Sequence, residues 1–189
     1  GMKAMAFSEH GSVMEWTFKK DKIESKGMKY IHAEEFYITE TIAEKIRDNY
    51  HCVLIARNYE GVKELNKLSS IAFNREDNHF YYAPRITFDE LINTSDNIII
   101  CTACLASILA SDNQSLKERF IVFLTNNKHR CFLEIQHHDV EEQKKYNKAL
   151  YALHQSTGIP LISGTDTHAL NEEPMRGRSI LQKSKGIHD

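Results

Sequence analysis

Ile159-Pro160-Leu161-Ile162-Ser163-Gly164-Thr165-Asp166-Thr167-His168 is the stretch from which the fold is read. Proline opens the run and glycine closes it, so its centre reads as a short buried strand. The turn beyond presents a carboxylate and an imidazole two residues apart, and both can bind a metal. In parallel α/β folds the loops after the strands converge on one face and carry the ligands. Asp166-x-His168 is therefore a candidate site pair. The local alternative is that Asp166 caps the next helix and His168 is an ordinary surface histidine.

Working outward, further apolar runs read as strands at residues 3–7, 28–37, 50–56, 98–101 and 131–135. Helical patterns fall between them: residues 13–26 stopped by Gly27, and residues 58–73 with Val62, Leu65, Leu68 and Ala72 on one face. Thr87-Phe88-Asp89-Glu90 has the form of a capping box opening a helix through Ile92, and Ser115-Leu116-Lys117-Glu118 reads as a second. Residues 105–109 read as helical. The longest helix starts at Asp139-Val140-Glu141-Glu142 and stops at Gly158. Residues 39–49 form a polar connection, and residues 74–85 a loop rich in His79, Phe80, Tyr81, Tyr82 and Pro84. Alternating strand and helix predict an α/β fold with a largely parallel sheet, in one domain over residues 1–189.

Hydrophobic content of 41% with 26% charged residues and 3 prolines fits a compact globule, and 189 residues suffice for one sizeable core. The net charge of −2 and pI near 6.6 supply no broad positive field for holding a phosphate backbone. Cys52, Cys101, Cys104 and Cys131 lie in or beside apolar runs, with no signal-like segment ahead, which predicts a reduced cytoplasmic protein without disulfides. No apolar run is long enough to span a membrane.

Gathered by position, His10, Glu35, Cys104, His138, Asp166 and His168 all lie at or just beyond strand ends, and His51 begins a strand. Imidazole, carboxylate and thiolate together suit zinc, iron or manganese. Glu34 and Glu35 share one apolar run, and burying two acids without partners is costly, so at least one should face a cation, a metal or water. Either Glu34 faces solvent while Glu35 pairs with a basic residue, or Glu35 meets a metal; its company favours the metal. For His138, a helix-start contact is the simpler reading.

The segments Ala6-Phe7-Ser8-Glu9-His10-Gly11, Glu35-Phe36-Tyr37-Ile38, residues 50–58, Phe80-Tyr81-Tyr82-Ala83-Pro84-Arg85-Ile86, Thr102-Ala103-Cys104-Leu105-Ala106 and Thr165-Asp166-Thr167-His168 together resemble the polymerase and histidinol phosphatase (PHP) domain. The likeness is to the version carried by bacterial DNA polymerase III alpha subunits. The resemblance implies a distorted (β/α)7 barrel with two or three divalent metals at the strand carboxyl ends, and metal-dependent phosphoester hydrolysis, of 3′–5′ exonuclease type in some relatives. It implies the ligands His10, Glu35, His51, Cys104, Asp166 and His168, with Glu35 bridging and Glu35 and Asp166 central to catalysis. Arg85 would meet substrate phosphate or pair with a surface acid. His51 fits this pattern yet stands at the start of its run, so either the strand begins later or the approach loop folds inward.

The family's first strand, with its His-x-His pair, has no counterpart in the sequence, so the expected barrel is incomplete by its first β/α unit. Gly1-Met2 reads either as a tag remnant before a start methionine or as the turn closing a preceding helix. Glu9 replaces the usual Asp. The ligands Glu35, His51 and Cys104 should then hold a metal best, and those sharing Asp166, His10 and His168 should be incomplete. Exposed sheet edges predict a homodimer or strand exchange. The polymerase palm is not represented, so the expected function is a phosphoesterase module acting on DNA or nucleotide phosphoesters. The alternative is an inactive scaffold for other polymerase regions or replisome subunits. A redox role for Cys101-Thr102-Ala103-Cys104 is the third reading.

Overall fold

The computed structural model describes residues 1–168 and 171–184; the rest of the expected domain, residues 169–170 and 185–189, lies outside the described residues. In chain order the elements are β1 (Ala4–His10), α1 (Trp16–Glu24), β2 (Lys29–Thr39), β3 (Tyr50–Ala56), α2 (Tyr59–Ala72), β4 (Phe80–Tyr81), β5 (Ala83–Thr87) and α3 (Phe88–Ile92). Then follow β6 (Ile98–Cys101), a 3₁₀ turn (Ile108–Ala110), α4 (Gln114–Asn126), β7 (Cys131–Gln136), α5 (Glu141–Thr157), β8 (Leu161–Gly164) and α6 (Glu172–Ser184).

The strands form one curled sheet in the order β4-β5-β2-β3-β6-β7-β8, with β1 also on β2. The result is a half-barrel with helices, consistent with an incomplete barrel of the expected kind. β2 is long enough to serve two partners along one edge. β1 runs parallel to its Lys29–Glu35 half, and β5 parallel to Tyr37–Thr39. The β4-β5 hairpin thus stands just past the end of β1.

The sheet is mixed rather than largely parallel. β3 runs antiparallel to both β2 and β6. A parallel return needs a crossover of about a dozen residues, usually a helix, and the connection 40–49 contains none. Four local differences from the expected elements have similar causes. β1 continues through Ser8 and Glu9 to His10, because its ladder with β2 holds until His10 faces Glu35. Residues 105–107 are drawn to the start of β3, where the His51 amide donates to the Ala106 carbonyl at 2.9 Å, so only a 3₁₀ turn follows. The aromatic loop contains the β4-β5 hairpin. Asn113, not Ser115, caps α4 by accepting from the Leu116 amide at 3.0 Å. The capping box at Thr87 and Glu90 forms as expected.

The core lies between β2, β3, β6 and β7 and the helices: Phe36, Ile38, Leu54, Ile98, Ile100 and Leu133 pack with Leu65, Leu68, Phe120, Leu124 and Leu150. Burying side chains of this kind contributes about 1.5–3 kcal/mol each relative to exposure. Because strand residues alternate faces, Phe36 and Ile38 point into this core while Glu35 and Tyr37 point into the hollow of the half-barrel.

Candidate metal centre

Three strand positions make the centre. His10 ends β1 opposite Glu35 in the parallel ladder, and its Nε2 lies 3.0 Å from Glu35 Oε2. The other carboxylate oxygen, Oε1, lies 3.2 Å from His51 Nδ1. One ligand atom from each of His10, Glu35 and His51 falls within 4.8 Å of the others. The Cys104 thiol adds a fourth donor, with Sγ 3.6 Å from the same His51 nitrogen. The antiparallel direction of β3 resolves the position of His51. Its start lies at the carboxyl ends of β2 and β6, so neither a late strand nor an inward loop is needed.

Burial alone would lower the His51 pKa, but the contacts to Cys104 and Glu35 outweigh it and hold the imidazole up at about 9. A charged imidazole beside a carboxylate with 6% side-chain exposure is what this donor set becomes when a proton stands in for a cation. Two imidazoles, a carboxylate with both oxygens engaged and a thiol therefore fit a divalent ion of the zinc, iron or manganese type.

His168 stands beside the centre and Asp166 beside His168, but neither joins the cluster of His10, Glu35 and His51. The His168 ring centroid lies 5.0 Å from that of His10, and His168 Nδ1 lies 2.7 Å from the Asp166 carbonyl oxygen. Asp166 (φ 47°) and Ala103 (φ 60°), which precedes Cys104, both hold left-handed backbone, a strained conformation for residues with a Cβ. Glu134 is the acid that sequence reading passed over as a site residue. It rests over Gly164, where a Cβ would collide with its carboxyl group, and accepts from Gln136 Nε2 at 2.9 Å. Burial raises its pKa, helped by the nearby charges of Asp166 and Glu35. Its signal was its place two residues before Gln136, on the inward face of β7.

Other expectations come out differently. Glu34 does not face solvent: it is fully buried. Neither of its oxygens meets hydrogen-bond geometry. Burial pushes its pKa up to about 8, tempered by the Ser69 hydroxyl. Arg85 is 1% exposed and donates to the carbonyls of Ile46 (2.6 Å), Asn78 (2.9 Å) and His79 (3.3 Å). Its Nη1 also lies 3.5 Å from Asp48 Oδ1, so the guanidinium pairs with an acid, one of the two expectations for it, and is engaged inside the protein. His138 is exposed. Cys101 is 2% exposed, with its thiol pushed by burial up to about 12, which disfavours it as the attacking thiol of a redox pair. All four cysteines are free.

The chain matches the PHP domain over residues 1–138. It belongs to the PHP domain family. This PHP chain is 32% identical to the DNA polymerase III subunit alpha of Aquifex aeolicus over its whole length, covering 18% of that protein. It is 29% identical to the Borreliella burgdorferi subunit, with 95% of the chain and 16% of the relative aligned. For the Thermus aquaticus subunit the identity is 27%, over 94% of the chain and 15% of the relative. The PHP chain thus spans less than a fifth of the length of these relatives. No helix among the described residues is long and apolar enough to cross a membrane.

Proposed function

We propose that this chain is a divalent-metal-dependent phosphoesterase module of the DNA polymerase III alpha type, cleaving DNA or nucleotide phosphodiesters in the manner of a 3′–5′ exonuclease. The observation that carries the reading is the Glu35 carboxylate, buried and shared between His10 and His51 with the Cys104 thiol behind. The proposed ligands are His10, Glu35, His51, Cys104, Asp166 and His168. A bound divalent ion supplies Lewis-acid polarisation of a phosphoryl oxygen and lowers the pKa of water. Glu35 holds His10 and His51 in orientation, Asp166 extends the donor set across the mouth, and Glu134 keeps a further acid in the hollow. The reading puts the module in the cytoplasm, beside other polymerase regions or replisome subunits, and draws its support from relatives that are DNA polymerase III alpha subunits.

Elemental analysis of protein purified without chelator, followed by hydrolysis of bis(p-nitrophenyl) phosphate with zinc, manganese or iron, tests this reading. One or more ions per chain, with turnover lost in Glu35→Ala and Asp166→Ala, is the expected result. Folded protein with no turnover in any metal rejects it. A second reading, an inactive scaffold, draws on the outer edges of β1 and β8, which have no strand partner among the described residues. Such edges suit strand addition from a second copy or a neighbouring polymerase region.

A further inference from the structure

The hairpin tip beside the metal centre carries an arrangement that the centre does not use. Tyr82 is 67% exposed and is held at φ 62°, an unfavourable conformation for a bulky residue. The Arg47 guanidinium covers one face of its ring at 3.5 Å, and Tyr81 meets it edge-on at 4.7 Å. Among the described residues no carboxylate lies within ion-pair distance of Arg47. The neighbouring Asp48 is committed to Thr39, the Glu40 amide and Arg85.

The buried Arg85 explains how the pair is held. Its Nη1 takes the carbonyls of Ile46 and Asp48, on either side of Arg47, while Nη2 and Nε take Asn78 and His79 at the base of the hairpin. One guanidinium thus staples the connection 40–49 to the hairpin. The hairpin in turn adjoins the centre. A Cβ added to Gly11, next to His10, would lie 2.8 Å from Pro84 and 2.9 Å from Tyr37. The Tyr37 ring stands 5.0 Å from that of His51.

We propose that Arg47 and Tyr82 form a platform that receives the terminal nucleotides of single-stranded DNA and leads them to the metal centre. Resting on the phosphoesterase reading, it assigns the substrate end of the site: the ring stacks on a base and the unpaired guanidinium takes a backbone phosphate. A positive group beside an aromatic face is the recurring chemistry of single-strand binding, and a local platform needs no broad positive field.

The test is fluorescence anisotropy of a labelled oligothymidylate on the whole chain in metal-supplemented buffer. Tyr82→Asn, which tolerates the left-handed backbone but removes the ring, and Arg47→Ala should each weaken binding about tenfold. Tyr82→Phe should retain it. No binding by the wild-type chain, or equal binding by all variants, overturns the proposal. Hydrolysis of bis(p-nitrophenyl) phosphate by the wild-type chain decides the phosphoesterase reading separately, since that small ester needs no platform.

Discussion

Glu34 and Glu35 are neighbours in sequence and opposites in environment. Glu35 sits between two imidazoles, whereas Glu34 is buried beside Ser69 with its pKa pushed up to about 8. An acid with a raised folded-state pKa binds its proton more tightly folded than unfolded. Its contribution is intact below the ordinary carboxylate pKa of 4.5 and is lost as pH rises toward about 8. Glu34→Gln mimics the protonated form, so denaturation at pH 8 should show the variant more stable by a few kcal/mol, at about 1.4 kcal/mol per pKa unit. The gap should close near pH 5. At the same scale, Cys52, Cys101 and Cys131 are buried with raised thiol pKa values, leaving Cys104 as the accessible thiol beside His51. Titration of native protein with a thiol reagent should find one fast cysteine per chain, lost in Cys104→Ser and protected by added zinc. The candidate ligands were legible because imidazole, carboxylate and thiol are rare in apolar runs. The burial of Glu34 beside a helix hydroxyl, and the four backbone carbonyls that join the Asp48 carboxylate around Arg85, leave no mark in sequence.

Among the elements, the positions of strands were plain from apolar runs, but their directions were not. A buried strand shows the same pattern whichever way it runs, and β3 gave only one clue, the helix-free connection 40–49. The hairpin β4-β5 escaped because β4 has only two residues. Helix α6 lies beyond the last strong apolar periodicity. Arg85 joins two of these elements, and a lysine there would bring a point charge in place of a fork. Arg85→Lys should therefore cost roughly 2–3 kcal/mol in urea denaturation through unmet carbonyls. Thr87→Ala, which removes the capping box of α3, should cost about 1 kcal/mol.

Over the whole molecule, α/β architecture and order of elements followed from the sequence, while curvature and mixed strand direction came from pairings between distant segments. β1 and β8, like the two-residue β4, have free edges among the described residues, and Ile162 in β8 is 38% exposed. Light scattering at high protein concentration should detect self-association that weakens in Ile162→Lys. A strict monomer at every concentration argues against strand exchange. β2 touches β1, β3 and β5 at once, and its alternating faces send Glu35 to the hollow and Phe36 to the core. Sliding β2 by one residue would turn Glu35 inward among apolar side chains and force three ladders to slip together. A misaligned chain thus has no small, nearly native resting place on this strand, and the metal centre and the hydrophobic core come into frame in the same event.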